Sequence, residues 1–407
     1  MPRTPTRTPH PWAILIVSFL AQAASAVTAH GPAFLIPALH RGGMSLAEAG
    51  VITAAPTIGV MCTLILWGGF VDRHGERLAL ILGLTGTAAF AALAALAPDD
   101  AVLGAALLLA GGCAASCNVA SGRVVVGWFP SHRRGLAMGI RQMAQPVGVG
   151  IAAITIAVVA NNHGVSASLW FPAAAAAIAL LLVVAVVIDP PRKPAPEGGA
   201  PNPYARDRFL PRIHAVSMLL VVPQFLAWTF ALVWLTDHRG WSAGTAGALV
   251  AITQILGALG RIGVGHLSDL VGSRTRPLRW VAVAAAVTMA LLGLTDRWPI
   301  AVVLMIAATV VTVADNGLAF TSVAERAGAY WSGRALGIQN TAQFLTASLV
   351  PPVAGLAIAH SSYALVFGLA ALFPLVAIPL VPVRDEHRRL APESGPVAPE
   401  SHSIAPQ

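Results

Sequence analysis

Apolar residues in this chain fall into long, nearly uninterrupted runs separated by short polar segments. Six of them, at 12–38, 46–70, 77–97, 102–128, 134–160 and 167–188, precede a polar, Pro-rich stretch from Asp189 to Pro211. Six more follow at 212–236, 243–268, 278–295, 299–324, 334–359 and 362–382. A helix crosses the hydrocarbon core of a bilayer with about 20 apolar residues, and every run is close to that length or beyond it. The pattern predicts an all-α membrane protein with twelve transmembrane helices in two six-helix bundles, at 12–188 and 212–382. A cytoplasmic loop at 189–211 would join the bundles. Residues 1–11 form an N-terminal tail, and the polar residues 383–407 read as a disordered C-terminal tail. The N-terminus imitates a secretory signal, with Arg3 and Arg7 before an apolar stretch and small residues at 21–26. The apolar character continues to Leu39, however, which predicts an uncleaved first span.

Composition agrees with the pattern. Of 407 residues 56% are hydrophobic and only 10% charged, with a mean hydropathy of +0.74, far from the roughly 25% charge of soluble domains. The net charge of +8 and the pI near 10.6 raise the question of nucleic acid, and the placement of the basic residues answers it. With both termini on the cytoplasmic side, nineteen of the 25 Lys and Arg residues fall there, including Arg73, Arg77, Arg133, Arg134, Arg274 and Arg334. Only Arg41, Arg239 and Arg297 fall on the other side. This is the positive-inside bias of a membrane protein, and no nucleic-acid partner is expected. Cys62, Cys113 and Cys117 all lie within apolar runs, which argues for buried small side chains over a disulfide framework or a metal site. No phosphate-binding loop, metal-ligand cluster or nucleophile elbow appears, so the chain is not expected to be an enzyme or to hold a cofactor.

The two halves repeat one another. Gly68-Gly69-Phe70-Val71-Asp72-Arg73-His74-Gly75-Glu76-Arg77 returns as Gly265-His266-Leu267-Ser268-Asp269-Leu270-Val271-Gly272-Ser273-Arg274. Both copies read Gly-x-x-x-Asp-x-x-Gly-x-Arg between the second and third run of their half. Gly139-Ile140-Arg141-Gln142 likewise aligns with Gly337-Ile338-Gln339-Asn340, and Asn118 with Asn316. Two parallel repeats of six spans are one of the common plans of secondary transporters.

With these loops the sequence resembles the major facilitator superfamily over roughly residues 12 to 382, and Trp128-Phe129-Pro130 followed by Arg133-Arg134-Gly135 resembles the family's fourth loop. The resemblance implies the major facilitator fold and an alternating-access transporter of small molecules, and it supplies partners for the two loop carboxylates. Asp72 sits at the negative pole of the second span, an unfavourable place for an anion without compensation. In this family the loop Asp packs against the cytoplasmic start of the eleventh span, here near Gly333-Arg334. By pseudo-symmetry Asp269 serves the fifth, near Arg133-Arg134. Gly68, Asp72, Arg73, Gly75, Arg77, Gly265, Asp269, Gly272 and Arg274 are thus expected to form two conformational latches; the competing reading is a pair of tight, solvated turns. The Arg that drug/proton exporters often carry midway along the fourth span is missing, its place falling near Leu107. Gln145-Pro146-Val147-Gly148-Val149-Gly150 is only a partial likeness to the antiporter motif of the fifth span.

Arg261 stands eight residues before Asp269, about 12 Å deeper along the eighth span, where a charge calls for a cavity or a partner. Family members that carry small organic anions often place an Arg on this span four residues before a Gly, as Arg261 stands to Gly265. Arg261 is therefore a candidate substrate-binding residue, the alternative being a structural ion pair with Asp315. Asp315, the carboxylate well inside the tenth run, is the candidate for proton coupling, or else a structural partner of Arg261 or Asn316. His30, Gln224, Trp228, Asn118 and Asn316 are further candidates for binding substrate, with helix packing and interhelical hydrogen bonds as the plainer reading. Arg123, five residues before Trp128, is expected to snorkel to the interface. Pro56, Pro146, Pro223, Pro351 and Pro352 are expected to kink their helices.

The expected function is secondary active transport of a small organic solute, an anion by preference, coupled to protons or to exchange. The alternatives are efflux of hydrophobic compounds by proton antiport, and a transport-inactive sensor or scaffold. The expected partners are a small-molecule substrate and membrane lipid. The expected state is a monomer, with a bacterial plasma membrane as its location.

Overall fold

The computed structural model describes residues 9–190 and 200–386. The tails beyond these bounds lie outside the described residues, as do Arg3, Arg7, Arg192, Lys193, Arg388 and Arg389 of the charge asymmetry. The described chain is helical, with no strand among its elements. In the first half the helices are α1 (Pro11–His30), α2 (Ile36–Arg41), α3 (Leu46–His74), α4 (Glu76–Ala95), α5 (Asp100–Trp128), α6 (Arg134–Gln142) and α7 (Ala144–Val186). In the second they are α8 (Phe209–Val233), α9 (Ala243–Val271), α10 (Thr275–Leu294), α11 (Ile300–Val311), α12 (Asp315–Ala327), α13 (Ser332–His360), α14 (Tyr363–Ala370) and α15 (Leu372–Leu380).

Polar residues at the ends of the apolar runs start several helices by satisfying free backbone N–H groups. Ser45 and Glu48 make a reciprocal capping box on α3, while Asp99, Ser242 and Ser362 cap α5, α9 and α14. At the other end of α9 Gly272, at φ 65°, supplies the left-handed residue that closes the helix.

Among the described residues eleven helices are long and apolar enough to cross a membrane, where twelve runs were expected. Runs 134–160 and 167–188 lie in one helical stretch, Ser131–Val186, of 56 residues. At 1.5 Å per residue it would be about 84 Å long if straight, far beyond a hydrocarbon core of about 30 Å. It turns at Gly164, whose φ of 87° and ψ of 170° are not helical. The exposed polar residues Asn161, Asn162 and His163 precede it, and only Gly164 leaves helical geometry, so the two helices follow each other without a loop.

Pro56, Pro223, Pro351 and Pro352 all lie inside continuous helices. The break between α6 and α7 at Met143 has a local cause in Pro146, which lacks the N–H that would bond the carbonyl four residues back. The break at 312–314, between α11 and α12, has no proline beside it, and it sets Asp315 at the start of a helix.

The halves meet through α3 with α13 and through α6 with α9, and glycine makes both approaches possible. A Cβ on Gly68 would lie 2.5 Å from the Gly333 carbonyl oxygen, and one on Gly337 would lie 2.7 Å from that of Leu64. In the pseudo-symmetric pair, Gly135 and Gly265 face each other backbone to backbone, and a Cβ on Gly139 would lie 2.7 Å from the Arg261 carbonyl oxygen. All of these contacts lie toward the end that carries Asp72 and Asp269.

Candidate transport site and its charged closures

Asp72, at the end of α3, accepts hydrogen bonds from the first amides of α13, Gly333 N at 2.8 Å and Arg334 N at 3.0 Å. The Arg334 side chain adds a contact at 3.2 Å. Asp269, near the end of α9, accepts from the first amides of α6, Gly135 N at 3.0 Å and Leu136 N at 2.8 Å. Each carboxylate lies at the negative pole of its own helix and the positive pole of another, which offsets the first field with the second.

The supporting charges differ between the two. Arg123 is buried beneath the first, 2.7 Å from Asp72 and 3.2 Å from Glu76, and donates to the Ala329 carbonyl at 2.6 Å. The expected snorkelling therefore does not occur, because two carboxylates from α3 and α4 hold the guanidinium inside. In the second, Arg274 bonds Asp269 at 2.5 Å, lies 3.4 Å from Glu325, and also donates to the Ser131 carbonyl. Burial alone would lower the Arg274 pKa, but Glu325 and Asp269 outweigh it and hold it above the ordinary arginine value. Arg73 is exposed, and Arg77 stays within its own half, donating from its backbone to Asp189 at 2.9 Å and from its side chain to the Val184 carbonyl at 3.0 Å. Gly75, at φ 98°, lies so close to the Asp189 carboxylate that a Cβ would meet it at 2.5 Å.

Between the halves lies a cavity whose empty space, mouth included, is about 600 Å³. Its polar wall consists of Arg141, Gln142 and Gln145 from the first half and Gln224, Arg261, Asn316, Asn340 and Gln343 from the second. Its apolar wall includes Phe225, Trp228, Phe320 and Phe344. The amides of the second half form a chain, in which Asn316 donates to Gln224 at 3.0 Å and Gln343 donates to Asn316 at 2.8 Å. Trp228 packs edge-on against Phe225 at 5.6 Å.

Of the candidate residues, Arg261, Gln224, Trp228 and Asn316 line this one cavity. His30 lies just behind the lining, 3.3 Å from the Gln145 amide and stacked on Phe344 at 6.3 Å. Asn118 lies deeper, accepting from Gln22 at 2.9 Å. Arg261 donates to the Val313 carbonyl at 3.3 Å. Asp315 lies within electrostatic reach of it, although no ion pair within 4.0 Å joins the two among the described residues. Asp315 is fully buried, and no side chain among the described residues hydrogen-bonds to its carboxylate.

Among the lining residues that the candidate set lacked, Arg141 is the charged one. It is buried at 3% exposure and held by neutral acceptors: Ser121 Oγ at 2.9 Å, Gln142 Oε1 and the Asn118 carbonyl. Its guanidinium lies over the Phe320 ring at 5.7 Å. Of the other buried charges among the described residues, Asp296 has the His238 ring at 2.7 Å, and Asp72, Glu76, Arg123, Arg261, Arg274 and Asp315 have an opposite charge as a neighbour. Arg141 has none among the described residues.

The profile of the Major Facilitator Superfamily matches residues 14–351, and a second match covers 230–404. The chain belongs to this superfamily. It is 47% identical over 392 residues to the "Uncharacterized MFS-type transporter Rv2994" of Mycobacterium tuberculosis (strain ATCC 25618 / H37Rv), across 94% of this chain and 87% of the relative. A more distant relative is the hexuronate transporter of Bacillus subtilis (strain 168), 24% identical over 244 residues, which are 57% of this chain and 58% of that protein. In fold the chain is similar to the E. coli fucose:proton symporter FucP (N162A), with a TM-score of 0.73 at 16% identity, over 93% of this chain and all of that one. The chain is thus a multi-pass membrane protein of a transporter superfamily.

Proposed function

We propose that this superfamily member is a secondary active transporter of a small organic anion, working by alternating access in a bacterial plasma membrane. The observation that carries the reading is one cavity lined by Arg141 from the first half and Arg261 from the second, with no acidic residue in its lining. Buried positive charge without a protein counter-ion is costly in a membrane interior and is compensated by an anionic ligand. Guanidinium groups suit carboxylates because they can bind them through two parallel N–H bonds. The distant relative named for hexuronate, itself an organic anion, is consistent with this.

In this reading the polypeptide crosses the membrane twelve times, turning at Gly164 between its fifth and sixth crossings, with the Asp72 and Asp269 loops on the cytoplasmic side. The two loops are latches. While they hold, the cavity faces outward, and release of Asp72 from α13 and of Asp269 from α6 opens it inward. Asp315 carries the coupled proton. The competing reading, efflux of hydrophobic compounds by proton antiport, draws on the aromatic wall of Phe225, Trp228, Phe320 and Phe344, but leaves the arginines unexplained.

Uptake into proteoliposomes tests the proposal. Saturable transport of an organic anion, competed by carboxylates and lost in correctly folded Arg261→Ala protein, is the expected result. Unimpaired transport by that variant would remove the anion reading.

A further inference from the structure

We infer that the substrate is a dicarboxylate, with one carboxylate held by Arg141 of the first half and the other by Arg261 of the second. This rests on the anion reading above and narrows it. The ground is the different pairing of the two arginines. Other buried arginines have a carboxylate of the protein nearby, and even Arg261 has Asp315, whereas Arg141 is surrounded by the neutral oxygens of Ser121, Gln142 and Asn118. Those three contacts use one N–H on each guanidinium nitrogen and fix the plane of the group, while two of its five donors stay available. Arg261 spends its Nε on the Val313 carbonyl and keeps its remaining donors. Both groups are therefore positioned before a ligand arrives, so that a bound anion need not pay to order them.

The charges tie the valence to the proton. With Asp315 ionised, the two arginines leave one positive charge uncompensated; with a proton on Asp315 they leave two. A monoanion entering alone or a dicarboxylate entering with one proton leaves the site neutral, so entry coupled to a proton on Asp315 selects the dicarboxylate. The two positive charges belong to different halves, on α6 and α9, which touch at Gly139 and Arg261. A ligand with two carboxylates gives each of these helices an anionic contact of its own. Gln142 and Gln224 each spend their side-chain oxygen on a protein donor, so their amide N–H groups add donors to a site already rich in them.

Thermal stabilisation of the purified full-length protein by a ligand series tests this, because a ligand that binds the folded state raises the midpoint in proportion to its affinity. The series contains malonate, succinate, glutarate and adipate, the mono-methyl ester of each, the matching monocarboxylates, and sn-glycerol 3-phosphate. At least one dicarboxylate is expected to bind at least tenfold more tightly than its own half-ester. In Arg141→Gln the preference is expected to collapse to within about twofold. Half-ester binding retained through Arg261 shows that the variant is folded, and Arg141→Lys should restore part of the preference. A half-ester that binds as well as its parent diacid overturns the two-carboxylate assignment while leaving the anion reading in place. So does a phosphate monoester that binds more tightly than every dicarboxylate, since its charge resides on one group. Protection by none of these anions overturns both readings.

Discussion

Asp72 accepts the backbone amide of Gly333 at 2.8 Å, which ties the end of α3 to the first turn of α13 across 261 residues of chain. This bond can form only because Gly68 and Gly333 have no side chains to hold the two helices apart. A carboxylate at a helix N-terminus contributes about 0.3 to 2 kcal/mol, enough to bias an equilibrium between two states and little enough to be undone in each cycle. Asp72→Asn keeps the shape and removes the charge. It should shift the balance toward the state open at this end by about 1 kcal/mol, or roughly fivefold. Distances between spin labels on the loop-side ends of α3 and α13 measure this directly. An unchanged distribution would reduce Asp72 to a turn residue.

The glycines deeper in the interface make a steric prediction. A methyl group on Gly139 or Gly337 would lie 2.7 Å from a carbonyl oxygen of the facing helix, that of Arg261 or Leu64. Rigid backbone cannot absorb that overlap in place, so α6 must move from α9, or α13 from α3. Overpacking of this kind typically costs about 1–3 kcal/mol. Gly139→Ala and Gly337→Ala should each open the loop side and lower the unfolding midpoint, whereas Gly150→Ala and Gly263→Ala, which would meet nothing within 4 Å, should change neither. Equal behaviour of the four variants in spin-label and thermal measurements would contradict the close-contact account.

These contacts also show what the sequence can carry. The loops were legible because their charges interrupt apolar runs at matching places in the two halves, and Arg261 because eight residues of helix separate it from the nearest loop. Arg141 was not legible, since it lies only seven residues after Arg134 and resembles one more charge near the end of a span. What sets it apart is the absence of an acid from the helices around it, and that is a property of packing. Arg123 was misread for a related reason. Its distance from Trp128 suits snorkelling, but Asp72 and Glu76 reach it from α3 and α4. The boundary between runs five and six was legible in Asn161-Asn162-His163-Gly164, but not that Gly164 alone would leave helical geometry there.

Arg123 supplies the third prediction. With its guanidinium gone, Asp72 and Glu76 would lose the cation they share at 2.7 and 3.2 Å. Removing one member of a buried charge cluster costs about 3–5 kcal/mol. Arg123→Ala is therefore expected to unfold at markedly lower temperature, and Arg123→Ala combined with Glu76→Gln should recover part of the loss. A snorkelling arginine at the interface would give near-neutral values for both. Thermal unfolding in detergent separates the two cases.

Asp315 makes the last prediction. It is fully buried with no side-chain donor to its carboxylate among the described residues, and its charged neighbour is Arg261 from α9. When anion and proton travel together, an inwardly directed proton gradient drives accumulation, because the proton on Asp315 cancels the charge that the second carboxylate brings. Asp315→Asn is neutral at every pH and holds the cavity permanently in its two-charge form. It should still bind substrate and exchange external for internal substrate at a rate within about tenfold of the parent protein, a difference of about 1.4 kcal/mol in barrier. It should no longer accumulate substrate when the outside is made acidic. Proteoliposomes preloaded with substrate measure exchange, and empty ones under an imposed pH difference measure accumulation. A variant that still accumulates under the gradient would show that the proton is carried by a group other than Asp315.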